Sequence, residues 1–243
     1  VEASDETSPF KTEYFRTNDP ISKTREELDE IYNGGGFSDY FAFEVSPDEQ
    51  FVVYVRAVDY AGNYDYISSD GVIVDNTEPV ITLEAGEPGK VYNSDVSVKV
   101  NVSDAETDSI PYSGIAKIEY CIVSGGKETK RDTVFLFDYS REVGENSNGG
   151  KLVITDKADG TEKKTQIEGN VPTQAQLCKT WNGTIIVSAA DNNNSDTVVY
   201  VKVTDNAGKS TESSILLDID TTAPDIKVEY SDSSAENAKN GYY

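Results

Sequence analysis

Carboxylates are the most abundant side chains in this sequence that could do chemistry, since its 243 residues include 44 Asp and Glu, 21 Lys and Arg, and no His. A pair of carboxylates can hydrolyse a glycoside. His, the commonest general base near neutral pH, is missing, and the sequence has no serine-nucleophile, phosphate-loop or His-Glu zinc motif. Because acidic residues are mostly solvated surface charges, we expect a protein that is not an enzyme.

Two short acidic segments carry oxygen ligands of the kind that calcium takes, DAETD at 104–108 and DNNNSD at 191–196. Neither has the glycine and terminal Glu of an EF-hand loop, and Asp and Asn are common turn formers. We therefore predict turns here, with no metal site and no cofactor, and calcium binding is the alternative that stays open. The formal net charge of −23 repels phosphate backbones and anionic lipids, so we expect neither nucleic acid nor a membrane surface as partner.

The two cysteines, Cys121 and Cys178, lack the C-x-x-C spacing of a metal or redox motif. Cys121 lies in the alternating segment IAKIEYCIV, on the side that faces away from the apolar residues. A disulfide between the two requires a helix at 174–181 to cover the strand that holds Cys121. Two free thiols are the alternative.

The elements that position these residues are predicted to be short strands. Alternating apolar segments are separated by clusters of Gly, Asn, Asp and Ser, which is typical of an all-β sandwich. In VSVKVNV at 96–102, the four valines share one face and the polar residues share the other. One face of this strand should therefore be core and the other solvent.

A sequence of about 25 residues occurs twice, as YVRAVDYAGN from Tyr54 and as YVKVTDNAGK from Tyr200. Each copy predicts a hairpin in which glycine supplies the positive φ of the turn and Asp caps nearby amides. Tyr54 and Tyr200 are expected to face outward. The predicted structural turn residues are Asp59, Gly62, Asp205 and Gly208.

Each copy ends in a second shared motif, D-N-T-E-P in the first and D-T-T-A-P in the second. These motifs divide the chain into a first unit at 1–78, a second unit at 79–220 and a last segment at 221–243 that forms the joint and opening strand of a further repeat. The first unit lacks counterparts of 80 to roughly 150, so it is a shorter or truncated variant. No flexible Gly/Ser stretch separates the units, which predicts a stiff joint.

The combination of V-x-V-x-A/V-x-D-x-A-G-N with D-x-T-x-P resembles the bacterial Ig-like domains that occur in tandem in large surface proteins of Gram-positive bacteria, many of them gut commensals. The resemblance covers residues 50–80 and 184–226. It implies tandem Ig-like β-sandwiches and a secreted or cell-wall location. It implies no catalytic residues.

Two further segments predict a short helix inserted in each unit. In 22–36, Thr24 is the expected N-cap with Glu27 three residues later, and glycines follow. In 172–183 the arrangement repeats with Thr173 and Gln176. Because a sandwich does not need such a helix, the first helix and the loop after it are the candidate partner-binding surface, formed by Asp29, Glu30, Phe37 and Tyr40. The alternative is that the helix only closes one end of the sandwich.

These features predict a monomeric, non-catalytic fragment of a bacterial cell-surface protein that displays a binding surface for a host ligand. The ligand would be a host protein or a glycan, and adhesins and immunoglobulin-binding, superantigen-like proteins are the families of reference. Two alternatives stay open. One is a purely structural stalk spacer, and the other is an accessory Ig-like module of a secreted glycoside hydrolase.

Overall fold

A computed structural model describes most of the chain and confirms the all-β prediction. The described residues are 8–19, 21–40, 44–69, 71–87, 89–104, 111–141, 150–169 and 174–228. Most of them lie in β-strands, and regular helix is confined to one short α-helix and one 3-10 turn.

The first unit is an antiparallel sheet built around one long strand. Its elements are β1 (Phe10–Thr17), α1 (Arg25–Asn33), β2 (Glu49–Asp59), β3 (Tyr64–Ser68) and β4 (Val72–Val74). Strand β2 pairs with β1 along its length, and with β3 and then β4 along successive parts. Among the described residues no second sheet faces this one, so this part of the first unit does not show the two-sheet sandwich that the sequence predicts.

Helix α1 covers one face of this sheet, and its N-terminus confirms the predicted capping box. The Glu27 amide donates to Thr24 Oγ1 at 3.3 Å, while the Thr24 amide donates to the Glu27 carboxylate at 2.7 Å. These bonds satisfy two amides that have no partner inside the helix. Leu28 is buried against the sheet, and the Lys23 amide donates to the hydroxyl of Tyr54 at 2.9 Å.

The side chains under α1 correct the prediction that Tyr54 faces outward. Tyr54 and Arg56 are both buried. The Arg56 guanidinium lies 3.9 Å from the ring centroid of Tyr32 and 4.4 Å from that of Tyr64, and it donates to Glu13 at 3.0 Å. The helix and these rings therefore bury the face of β2 that the alternating pattern assigns to solvent. Its counterpart in the second unit, Tyr200, is exposed as predicted.

The second unit is a sandwich of two sheets. Its strands are β5 (Val80–Glu84), β6 (Val91–Tyr92), β7 (Val96–Ser103), β8 (Ile115–Ser124), β9 (Lys127–Arg141), β10 (Gly150–Asp156), β11 (Lys163–Gly169), β12 (Thr180–Val187), β13 (Thr197–Asp205) and β14 (Ser210–Ile219). The larger sheet has the order β11-β10-β9-β8-β13-β14-β6, and the smaller has the order β12-β7-β5. Only β14 and β6 pair in parallel; the other pairs in these sheets are antiparallel.

One apolar core fills the space between the two sheets. The four valines of β7 are buried and the residues between them are not, which confirms the predicted alternation. Facing residues of β8, β12 and β13 complete the core, including Ile118, Ile185 and Val201. Branched residues at alternate positions stabilise these strands by packing across the core.

The helix predicted at 174–181 is wrong. Only a 3-10 turn at Gln174–Gln176 is helical, and β12 begins at Thr180. Trp181 is buried in the core, where it pairs with Val102 and donates from Nε1 to Asp156 at 3.0 Å. The alternating sequence that follows Trp181 pairs with β7, and this tertiary pairing outweighs the local helix signals. The helix therefore belongs to the first unit alone among the described residues.

The predicted third segment is described only in part. Residues 221–228 have no regular secondary structure. The remainder of the predicted opening strand lies outside the described residues.

Candidate functional site

The repeated hairpin turn has the same hydrogen bonds in both units. Gly62 and Gly208 have φ values of 93° and 87°, and their amides donate to the carbonyl oxygens of Asp59 and Asp205 at 3.1 and 3.2 Å. The side chain of each Asp accepts from the amide four residues later, at 2.7 and 2.8 Å. The predicted need for glycine at positive φ is confirmed.

The two turns differ in the second oxygen of the Asp side chain. In the first unit, Asn63 Nδ2 donates to Oδ2 of Asp59 at 2.7 Å, so both oxygens are used. In the second unit, Lys209 replaces the Asn and sends its ammonium group to Asn76 Oδ1 at 2.7 Å. Oδ2 of Asp205 is buried and has no hydrogen-bond partner.

The D-x-T-x-P motif forms an Asx turn in both copies, as Asp side chains commonly do. The amide of Thr77 donates to Asp75 Oδ1 at 3.0 Å, and the amide of Thr222 donates to Asp220 Oδ1 at 2.8 Å. Asp75 is buried, whereas Asp220 is exposed. The first copy is thus covered by the second unit.

Direct contacts hold the joint between the units. The amide of Ser113 donates to Asp75 Oδ2 at 2.8 Å, and the bond from Lys209 to Asn76 reaches the joint from the turn of β13 and β14. Pro79 is buried, and β5 begins at the next residue. The joint is therefore part of the folded structure of the second unit.

Three buried aspartates meet at this joint. Asp75 comes from the joint itself, Asp104 follows β7, and Asp205 is the last residue of β13. One carboxylate oxygen of each lies within 4.8 Å of the other two. Their exposed fractions are 7% for Asp75, 0% for Asp104 and 2% for Asp205. We call this group the aspartate cluster.

Some carboxylate oxygens of the aspartate cluster accept hydrogen bonds and others do not. Gly114 donates its amide to Oδ2 of Asp104 at 2.5 Å, but Oδ1 of Asp104, like Oδ2 of Asp205, is buried and accepts no hydrogen bond. A buried carboxylate oxygen without a partner is costly. Two such oxygens in one group indicate a site built for a further positive ligand.

The pKa values of the aspartate cluster reflect burial and mutual repulsion. Burial first, and the nearby charges of Asp75 and Asp205 as well, raise the pKa of Asp104 to about 7 against the hydrogen bond from Gly114. Burial likewise raises the pKa of Asp205. Burial also acts to raise the pKa of Asp75, but hydrogen bonds from Ser113 and Thr77 outweigh it and leave this pKa lowered.

The sequence places the cluster residues far apart and assigns them other roles. Asp205 was predicted only as a turn residue, and Asp104 only as part of DAETD, whose residues 105–108 lie outside the described residues. In DNNNSD, Asn192 accepts from Thr129 at 2.6 Å and Asp196 accepts from the Gly125 amide at 2.9 Å, so this segment forms a hydrogen-bonded turn. The signal that could have found the cluster is that both repeated motifs begin with Asp.

Two of the four residues predicted for partner binding are engaged in the packing of the first unit. Asp29 accepts from the hydroxyls of Tyr64 and Tyr66 at 3.1 and 2.8 Å. Burial and this bond to Asp29 raise the pKa of Tyr66 to about 12. The ring of Phe37 lies 5.7 Å from that of Tyr66, centroid to centroid, in a group that also includes Phe15 and Tyr32.

The other two predicted binding residues are available for contact. Glu30 is exposed on α1, and Tyr40 is 72% exposed after the helix. Of the predicted surface, two side chains are therefore exposed and two belong to the packed layer.

Cys121 and Cys178 are free thiols in the structure, and the geometry explains why. The carbonyl of Cys178 accepts from the amide of Ile115, the first residue of β8, six residues before Cys121. Six residues of strand span about 20 Å, whereas a disulfide needs Cα atoms within about 7 Å. The predicted helix that was to carry Cys178 over Cys121 does not form. Burial raises the pKa of the Cys178 thiol to about 11.

The fold and these sites define an all-β protein with Asp-based turns that recur along the chain and a joint held by hydrogen bonds. Comparison with models of known protein families gives no match, and comparison with curated proteins gives none either. Helix α1 has nine residues, and no helix in the described ranges is long and apolar enough to span a bilayer.

Proposed function

We propose that this chain is a non-catalytic segment of a bacterial cell-surface protein, in which Ig-like units follow one another in a stiff array. The observation that carries the proposal is the joint. Asp75 and Asn76 end the first unit, yet both are hydrogen-bonded to the second. A linker whose polar groups are bonded to the following unit has few conformations of its own, which suits a stalk that projects its outer parts at a fixed angle.

Small-angle X-ray scattering of the whole chain tests this proposal. We expect one narrow distribution of dimensions for the native sequence. Insertion of Gly-Gly-Ser-Gly-Ser after Asn76 should broaden the distribution, because it separates Asp75 from Thr77, whose amide closes the turn, and from Pro79. A native chain that scatters as broadly as the insertion variant would contradict a stiff array.

A second function, binding of a host protein such as an immunoglobulin, or of a glycan, is favoured by the exposure of Tyr40. An exposed Tyr is rigid contact material, and Glu30, exposed on α1, adds charge that can steer association. Because Asp29 and Phe37 are held by internal contacts, we centre the proposed surface on Tyr40 and Glu30.

Capture experiments with serum immunoglobulin, mucin and a glycan array test the binding function. If Tyr40 is an interface anchor, Tyr40→Ala should weaken binding by about 1 to 2 kcal/mol, and Glu30→Lys should slow association, most clearly at low salt. The matched control is Tyr60→Ala, because Tyr60 is 78% exposed on the hairpin turn. A chain that captures none of these ligands is a spacer, and selective capture of polysaccharide would favour the accessory module of a glycoside hydrolase.

A further inference from the structure

The aspartate cluster has more negative charge than its surroundings balance. Its three carboxylates approach within 4.8 Å of one another and are buried, and like charges at this separation cannot all stay ionised without a nearby cation or a shared proton. The hydrogen bonds that reach the cluster come mainly from neutral donors, namely the amides of Thr77, Ser113, Gly114 and Lys209. Either a proton or a metal ion must supply the missing positive charge.

The unpartnered oxygens point to a metal ion. A single proton shared within the cluster would leave two negative charges in a buried site, whereas a divalent cation would leave one. A shared proton bridges two oxygens, such as Oδ1 of Asp104 and Oδ2 of Asp205, whereas the cluster brings together oxygens of three carboxylates. A cation accepts several oxygens at once.

We infer that Asp75, Asp104 and Asp205 bind one calcium ion, which ties the end of the first unit to the second unit. The inference rests on the proposed function only in its last step, the stiffening of an array. Metal binding itself is inferred from the three carboxylates and does not depend on the proposed function.

The chemistry of the ligands favours calcium over the other common divalent ions. Calcium takes oxygen ligands at about 2.3–2.6 Å, so oxygens on opposite sides of the ion are about 5 Å apart. The three carboxylate oxygens lie within 4.8 Å of one another, which is inside that span. Magnesium demands near-ideal octahedral geometry and usually keeps several waters, which suits a buried group of three carboxylates less well. Zinc sites in proteins are built mainly from Cys and His ligands, and the cluster has neither. Water and backbone carbonyls would complete the coordination.

The calcium site explains why both repeated motifs begin with Asp. Asp205 belongs to the D-x-A-G turn and Asp75 to D-x-T-x-P, so one site combines the turn of one unit with the closing motif of the unit before it. Asp220 repeats the Asx turn of Asp75 but is exposed. In an array, it is the residue that would complete the corresponding site of a following unit.

Calorimetric titration of the chelator-treated 243-residue chain with calcium chloride tests the inference. We expect one ion per chain, with a Kd on the order of 10⁻⁵ to 10⁻³ M, magnesium binding at least tenfold weaker, and a melting temperature that rises with calcium concentration. Asp104→Asn and Asp205→Asn should each raise the Kd for calcium at least tenfold. Asn preserves the size of the side chain and the acceptor oxygen that the turn uses.

The matched control is Asp59→Asn. Asp59 occupies the same turn position in the first unit, but both of its oxygens are already bonded to Asn63, so its replacement should leave the Kd within twofold. Circular dichroism shows whether each variant is folded. The titration of the native chain keeps the test decisive even if Asp104→Asn does not fold.

Three results would overturn the inference. The first is that the native chain gives no heat of binding and no thermal shift at millimolar calcium. The second is that Asp59→Asn loses as much calcium affinity as Asp104→Asn and Asp205→Asn. The third is that Asp104→Asn is more stable than the native chain by the same amount with and without calcium, which would show that the cluster holds a proton and no metal ion. Scattering with calcium and with chelator separates this inference from the proposed function. A narrow distribution of dimensions in a chain that binds no calcium would support the stiff array and refute the metal site. Calcium binding by a chain with a broad distribution of dimensions would support the metal site and refute the stiff array.

Discussion

The ion pair under α1 gives the most quantitative prediction for the first unit. Arg56 and Glu13 have side chains that are 8% and 11% exposed, so replacement of Arg56 by Met leaves a carboxylate buried without its main partner. Breaking a buried pair in this way costs about 3 to 5 kcal/mol. We expect about 3 kcal/mol, the lower end, because Lys11 Nζ remains 2.9 Å from the other oxygen of Glu13.

Urea unfolding measures this loss, because the two units can be followed separately. Trp181 is the only Trp and lies in the second unit, so its fluorescence reports that unit, while far-ultraviolet circular dichroism reports both. With an m value of about 1.5 kcal/mol/M, the transition of the first unit should move down by about 2 M urea, and the fluorescence transition should stay in place.

Two further variants test whether the loss of stability comes from the unpaired buried charge. Arg56→Met combined with Glu13→Leu removes both charges and should be more stable than Arg56→Met alone, since no unpaired charge stays buried. Arg25→Met removes an exposed Arg that also stacks on a Tyr ring and should cost less than 1 kcal/mol. The reasoning is refuted if Arg56→Met costs no more than Arg25→Met, or if the double variant is the least stable of the three.

Three other outcomes follow from the turns, the thiols and the aspartate cluster. Gly62→Val and Gly208→Val should each lower the free energy of unfolding by about 1 kcal/mol or more, because a β-branched residue is strained at positive φ; unchanged urea midpoints would contradict this. Thiol titration under denaturing, non-reducing conditions should find both Cys121 and Cys178 free, and in the folded protein Cys178 should react slowly because burial raises its pKa. In chelator, the folded state keeps the Asp104 proton up to about pH 7, while the unfolded chain releases it near 3.8. The free energy of unfolding should therefore fall as pH rises through this interval, and Asp104→Asn should reduce that fall.

Local signals in the sequence predicted the features that depend on near neighbours. The capping box at Thr24 and the positive φ of Gly62 and Gly208 are set by residues within a few positions, and all three appear in the structure. The alternation of β7 is also local, and its valines are buried as predicted.

The predictions that failed depended on contacts across the chain. The helix signals around Gln176 are overridden because Trp181 packs in the core beside β7. Tyr54 is buried because a helix from an earlier part of the chain covers it. In both cases the local pattern was correct for an isolated segment, and tertiary packing decided the outcome.

The aspartate cluster lay beyond sequence reasoning for the same reason. Its members are 29 and 101 residues apart along the chain. Asp104 and Asp205 come to one end of the sandwich through the pairing of β7 with β12 and of β13 with β8, and the amide of Ile115 in β8 donates to the carbonyl of Cys178 just before β12. A hairpin turn uses only one carboxylate oxygen of its Asp, which is Oδ1 in Asp205. The turn prediction therefore gave no information about Oδ2, the oxygen that has no partner.

The position of Asp75 decides where this chain can be divided. A cut at residue 79, where the repeat ends, would leave Asp104 and Asp205 buried on one fragment and would remove the third carboxylate with the other. A cut before Asp75 would carry the whole cluster with residues 75–219. Any exchange of modules between such proteins, in the laboratory or by recombination of genes, would therefore preserve an intact junction only if the exchanged piece begins four residues ahead of the repeat boundary.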